Sequence, residues 1–167
     1  MAGGIQSGTT ATSAESLLSE NRHIDFVADV VCGMGEEWEI RKSLTIEEIM
    51  GYKGEYSLKA NGESQEWQSD GGFILYKGAL VGVCENKWQK ARQNACERVC
   101  KYLTFLPPKR MFVSCEGPGF LKKNGGGSTG PLIDMLRHAG ATVLENTTDE
   151  KEFKNQLRDW LQSLVSV

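Results

Sequence analysis

The stretch of the chain best equipped for chemistry runs from Asp70 to Lys87. It opens with an aspartate beside two glycines, Asp70-Gly71-Gly72, and closes with Glu85-Asn86-Lys87 at the end of an apolar run. Side chains alternate along a β-strand, so Val81, Val83, Glu85 and Lys87 are expected on one face, with carboxylate and ammonium emerging together at the strand end. Asp70 stands just before the apolar segment Gly72 to Tyr76. Lys77-Gly78 joins that segment to Ala79 to Cys84 as a hairpin, and folding the hairpin back brings a second carboxylate beside Glu85. Two carboxylates and a main-chain carbonyl suit a hard cation such as Mg²⁺, which keeps several waters and borrows other ligands from phosphate. A lysine within reach can orient or help deprotonate an attacking water, and the cation stabilises charge added to a phosphodiester. A surface Glu–Lys pair following a turn-forming aspartate has the same sequence and contributes only about 0–1 kcal/mol.

The next segment adds a second kind of chemistry. Trp88, Ala91, Ala95, Val99, Tyr102 and Leu106 recur at steps of three and four, which predicts a helix from Trp88 to about Phe105 that Pro107-Pro108 stops. Projected at 100° per residue, Lys90, Asn94, Glu97, Arg98 and Lys101 fall opposite the apolar side. Asn bonds adenine through two atoms and Arg reaches purine N7, so this face can read bases in a major groove. An ordinary amphipathic helix accounts for the same pattern without DNA.

Taken in order, Asp70-Gly71-Gly72, Glu85-Asn86-Lys87, Gln93-Asn94-Ala95-Cys96-Glu97-Arg98 and Met111-Phe112-Val113-Ser114-Cys115-Glu116-Gly117 resemble type II restriction endonucleases of the EcoRI and MunI type, within the PD-(D/E)XK nucleases. The resemblance covers about residues 69 to 120. It implies that Asp70 and Glu85 hold Mg²⁺ with the carbonyl of Asn86, and that Lys87 serves the attacking water. It also implies that Asn94, Ala95, Glu97 and Arg98 contact an inner AATT, while Glu116 matches a motif acid of open role. Enzymes of this family cut both strands of a palindrome in double-stranded DNA as homodimers, leave 5′ overhangs, and are paired with a DNA methyltransferase. Several positions depart from the family pattern. Ser69 stands where Pro is usual, Gln93 replaces Gly, six residues separate Lys87 from Asn94, and the chain of 167 residues is short.

The elements that must position these residues follow from periodicity. Residues 1–12 are small and polar, which suits a flexible start, and 13–167 are expected to form one nuclease domain. Ser13 is a candidate N-cap for a helix to about Val31, and a short helix is expected near Thr45 to Met50. Glu55 to Ala60 reads as a strand before an Asn61-Gly62 turn. Met111 to Cys115 reads as a strand, Pro131 to His138 as a helix, Ala141 to Leu144 as a strand and Asp149 to Val165 as a closing amphipathic helix. Alternating strands and helices predict an α/β fold, a central mixed β-sheet flanked by helices.

Composition narrows the class. With 40% hydrophobic and 25% charged residues the chain is expected to be soluble and globular, and no apolar run is long enough for a bilayer span. The first ten residues lack the basic start and apolar heart of an export signal, so a cytoplasmic protein without a membrane partner is expected. Five cysteines, an odd number, fit reduced core residues. Net charge is -3, yet residues 87–123 carry nine basic and two acidic groups, a local footprint for a polyanion. A double-stranded-RNA-binding module, with its basic helix against a sheet, is the main rival, though it requires neither Asp70 nor Glu85 and leaves residues 111–167 unexplained. A repair or recombination nuclease of the same fold is the third reading.

Overall fold

The computed structural model describes residues 14–50, 59–60, 63–64, 66–88, 101–118 and 131–166. Its organising unit is the hairpin of β4 (Glu66–Tyr76) and β5 (Ala79–Trp88). Lys77 and Gly78 both have positive φ, 51° and 80°, the backbone that lets a two-residue turn match the twist of its flanking strands. Across the hairpin Tyr76 pairs with Ala79 and Gly72 with Cys84, antiparallel.

Strand β1 (Trp38–Thr45) pairs antiparallel with β4 on its other side. Strands β6 (Met111–Glu116) and β7 (Thr142–Glu145) continue the sheet beyond β5, each parallel to its neighbour. The result is a five-stranded mixed sheet in the order β1-β4-β5-β6-β7, flanked by helices, which is the α/β class expected from the alternation of elements. A small separate pair, β2 (Lys59–Ala60) and β3 (Glu63–Ser64), is antiparallel.

Each face of the sheet has its own core. On one face Phe73, Leu75, Val83, Met111, Val113 and Cys115 pack with Tyr102, Leu106 and Leu136. That side carries two 3₁₀ turns, Lys101–Thr104 and Pro108–Arg110, and helix α3 (Pro131–His138). On the other face Ile74, Cys84, Phe112 and Leu144 meet helices α1 (Ala14–Gly33) and α4 (Glu150–Val165). Phe153 of α4 is the centre of that layer, 5.3 Å from the ring of Phe26 and 5.5 Å from that of Phe112. Helix α4 starts where the sequence expects, because the Asp149 carboxylate accepts from the Glu152 N–H at 2.8 Å. The short helix α2 (Ile46–Met50) starts with a reciprocal cap: Thr45 Oγ1 accepts from Glu48 N–H at 3.1 Å, and the Glu48 carboxylate accepts from Thr45 N–H at 3.0 Å.

Several expectations need correction. Val81 does not share a face with Glu85. Ile74 pairs with Gly82 but Leu75 with Leu80, so Val81 is an extra residue in the ladder, and it packs with the α1–α4 core while Val83 packs on the opposite side. Trp88 does not begin a helix; it is the last residue of β5 and pairs with Glu116. Asp70 lies inside β4 and does not precede the strand. Strand β1 was not expected at all. A register shift between Arg41 and Ser43 sends Ile40 to one core and Leu44 to the other, which erases the simple alternation that announces a strand. Cys84 and Cys115 are buried as expected, whereas Cys32 is exposed. Cys96, Cys100, Ser13, the Asn61-Gly62 turn and most of the expected Glu55 to Ala60 strand lie outside the described residues. Among the described residues no helix is long and apolar enough to cross a membrane.

Candidate functional site

The Asp70-Gly71-Gly72 segment owes its shape to a break in the ladder. Between Arg41 and Ser43, Lys42 alone of β1 faces Ser69 to Gly72 of β4, so β4 bulges. The bulge brings the backbones of β4 and β5 so close that a Cβ at Gly71 would lie 2.7 Å from the Cys84 carbonyl carbon. Gly72 has φ of 110° and a Cβ there would strike the Ile40 side chain at 2.6 Å. Only glycine satisfies both positions.

Ser69 replaces the lost ladder bonds. Its buried hydroxyl donates to the Cys84 carbonyl and accepts from the N–H groups of Gly72 at 3.0 Å and Gly71 at 3.3 Å. Ser69, which stands where the family it resembles has proline, therefore ties the strand before Asp70 to the residue before Glu85.

The consequence is convergence. Lys87 Nζ lies 3.6 Å from Asp70 Oδ2 and 3.8 Å from Glu85 Oε1, and the Glu85 carboxyl is also within hydrogen-bonding reach of Asp70. Glu85 is not the surface charge its sequence allows; it is 3% exposed, whereas the Asp70 side chain is 35% exposed and opens the group to solvent. Tyr102, fully buried, donates its hydroxyl to Glu85 Oε2. Burial pushes the Glu85 carboxyl up to about 7, with the Lys87 ammonium and the Tyr102 hydroxyl pulling the other way and Asp70 adding to the rise. The Tyr102 phenol is itself pushed up, first by burial and then by the charge of Glu85.

This donor set fits a hard divalent cation. Every acidic donor is oxygen, two carboxylates lie close enough to repel one another, and Lys87 offsets only one of their two charges. A cation bound here would offset the burial and the Asp70 charge that raise Glu85. The described residues contain no group of three or more His, Cys, Asp or Glu side chains able to hold a metal, so two carboxylates are the acidic complement.

Asn86 and Glu116 face the other way. Alternation carries the Asn86 side chain to the α1 side, where its Oδ1 lies 2.6 Å from His23 Nδ1. Nε2 of the same ring lies 3.2 Å from Glu116 Oε2, the oxygen that also accepts from Ser19 at 2.7 Å, and Arg22 pairs with Glu116 Oε1. Burial lowers the His23 pKa, against the pull of Asn86 and Glu116. Glu116 is thus an anchor for α1 and takes no part in the Asp70–Glu85–Lys87 group. Asn86 can reach the front of the sheet only through its main chain.

Two contributors were missed in the sequence. Tyr102 has the spacing of a core aromatic and is one; nothing in the period of the helix marks the hydroxyl that reaches Glu85. His23 lies in the middle of an apolar stripe with no motif around it. Asn94, Ala95, Glu97 and Arg98, expected to read DNA, lie outside the described residues, and Lys101 sits in the first 3₁₀ turn.

The chain matches no protein-family model, no curated protein and no solved structure.

Proposed function

We propose that the protein is a Mg²⁺-dependent endonuclease that hydrolyses phosphodiester bonds in double-stranded DNA, of the PD-(D/E)XK type. The observation that carries this reading is the meeting of Asp70, Glu85 and Lys87 on one face of the sheet, where the half-buried Asp70 opens the group to solvent, from three positions that the β4–β5 hairpin brings together. The buried cost of Glu85 supports it, since a carboxyl held near pH 7 in apolar surroundings gains most from a cation. The mixed sheet with helices on both faces is the class that the motif resemblance implies.

In the reaction, Asp70 and Glu85 would hold Mg²⁺, with the Asn86 main-chain carbonyl as a further ligand. Once bound, the cation supplies Lewis acidity toward a phosphate oxygen and lowers the pKa of a water. Lys87 does the rest of the positioning. Its ammonium, only 11% exposed and spanning both carboxylates, can donate to the attacking water and to the phosphate oxygen that gains charge. Tyr102 and Ser69 hold Glu85 and the bulge in register, so the reacting groups need no reorganisation when DNA docks.

Sequence specificity is a further part of the proposal. Asn94, Ala95, Glu97 and Arg98 would read a palindrome with an AATT core, Lys101 would bind the same DNA, each subunit of a homodimer would cut one strand to leave 5′ overhangs, and a DNA methyltransferase would protect the host sites. The test is incubation of plasmid DNA with Mg²⁺. Discrete bands support the restriction reading, an undirected smear or cutting of branched DNA the repair reading, and metal-independent binding of RNA duplex without cleavage the rival binding module.

A further inference from the structure

We propose that Tyr102 sets the metal selectivity of this centre by holding Glu85 as a ligand through one oxygen. The inference rests on the reading of Asp70 and Glu85 as a divalent-cation site. The Tyr102 hydroxyl donates to Oε2 of Glu85, and the other oxygen, Oε1, is the one that faces Lys87. A phenol has a single O–H to give. Its hydroxyl also lies 3.4 Å from the Gln68 carbonyl, but a carboxylate is the stronger acceptor and the shorter contact is to Glu85.

The phenol has little freedom to withdraw. Its ring is fully buried, set edge-on to Phe73 with centroids 6.0 Å apart and to Phe105 at 6.1 Å. Ser69 interacts with the Tyr102 hydroxyl as well, which links the phenol to the bulge that carries Asp70. Oε2 therefore gives one of its lone-pair sites to a rigid donor, which makes it the poorer ligand, while Oε1 is the oxygen that faces Lys87. Mg²⁺ is small, keeps a strict octahedron and needs only one oxygen from each carboxylate. Ca²⁺ is larger and can take carboxylates through both oxygens in looser shells. A site whose buried carboxylate has one oxygen engaged by a fixed donor favours the first ion over the second.

Tyr102→Phe removes the hydroxyl and leaves the ring. Calorimetric titration of wild type and Tyr102→Phe with Mg²⁺ and with Ca²⁺, without DNA, gives the affinity ratio directly. Releasing Oε2 should shift the ratio toward Ca²⁺ by about tenfold, the effect of one hydrogen-bond-sized change in binding free energy. A folded Tyr102→Phe protein with an unchanged ratio overturns the proposal while leaving the cation site standing. Wild type that binds neither ion overturns both. A second measurement does not depend on the variant's folding. Infrared carboxylate stretches of ¹³C-glutamate-labelled wild type with Ca²⁺, assigned against Glu85→Gln, should show one-oxygen ligation at Glu85, and a two-oxygen signature contradicts the proposal.

Discussion

At the scale of single residues, three side chains make up the candidate site, and their removal should separate chemistry from folding. Asp70→Ala and Lys87→Ala should each lower Mg²⁺-dependent cleavage by roughly 100-fold or more, as expected when a group that acts mainly in the transition state is deleted. Circular dichroism should show both proteins folded, and ordinary activity in either would remove the site assignment. Glu85 makes a different demand. Its carboxyl is raised from 4.5 to about 7 by burial, so the folded chain holds that proton more tightly than the unfolded one. The stability linked to it is fully present below about pH 4.5 and is lost as pH rises through about 7, a change on the order of 2–3 kcal/mol. Urea unfolding of wild type and Glu85→Gln without divalent cations should therefore show their stability difference changing by that amount between pH 5 and pH 8, and added Mg²⁺ should shrink the change in wild type. Much of this was legible in the sequence: the spacing of Glu85 and Lys87 gives them a common direction, which holds because the ladder is regular beyond the Val81 bulge. Their burial was not legible, because it depends on Tyr102, a residue whose spacing reads as core.

At the scale of elements, the bulge in β4 and the anchoring of α1 are the two devices that position the strand ends. Gly71→Ala should shift the β4–β5 contact, since its Cβ has no room beside the Cys84 backbone, and should weaken Mg²⁺ binding together with stability. The same titration calorimetry reads the first effect and urea unfolding the second. Glu116 makes the contrasting case. Glu116→Ala strips Arg22, His23 and Ser19 of their shared partner and should cost about 2–3 kcal/mol in urea unfolding, while the folded fraction keeps its Mg²⁺ affinity because the carboxylate faces α1. Loss of Mg²⁺ binding in that variant would place Glu116 in the metal site instead. Helices α1, α3 and α4 and strand β6 were readable from period and caps. Strand β1 was not, since its irregular register divides Ile40 and Leu44 between two cores, and the bulge at Val81 moved a residue that simple alternation assigns to the other face.

At the scale of the whole molecule, the sheet places Asp70, Glu85 and Lys87 together on one face, while the network of Ser19, Arg22, His23 and Glu116 holds α1 on the opposite one. Eight basic residues follow Lys87 in the sequence up to residue 123, the charge pattern on which the proposed approach of a polyanion rests. Arg98→Ala should then lose sequence-specific binding in a mobility-shift assay while calorimetric Mg²⁺ binding stays intact, and symmetric cutting of a palindrome requires two subunits on the duplex. That the chain reads DNA is an expectation drawn from the Asn94 to Lys101 pattern, and it rests on sequence alone. The central claim, hydrolysis of DNA by the Asp70–Glu85–Lys87 group, is tested most directly by mapping cut positions on a sequenced plasmid with Mg²⁺, for wild type and Lys87→Ala in parallel. Defined breaks in both strands, present with wild type and absent with Lys87→Ala or without Mg²⁺, are the expected result; cleavage that persists unchanged in Lys87→Ala, or DNA left intact by folded wild type, would contradict it.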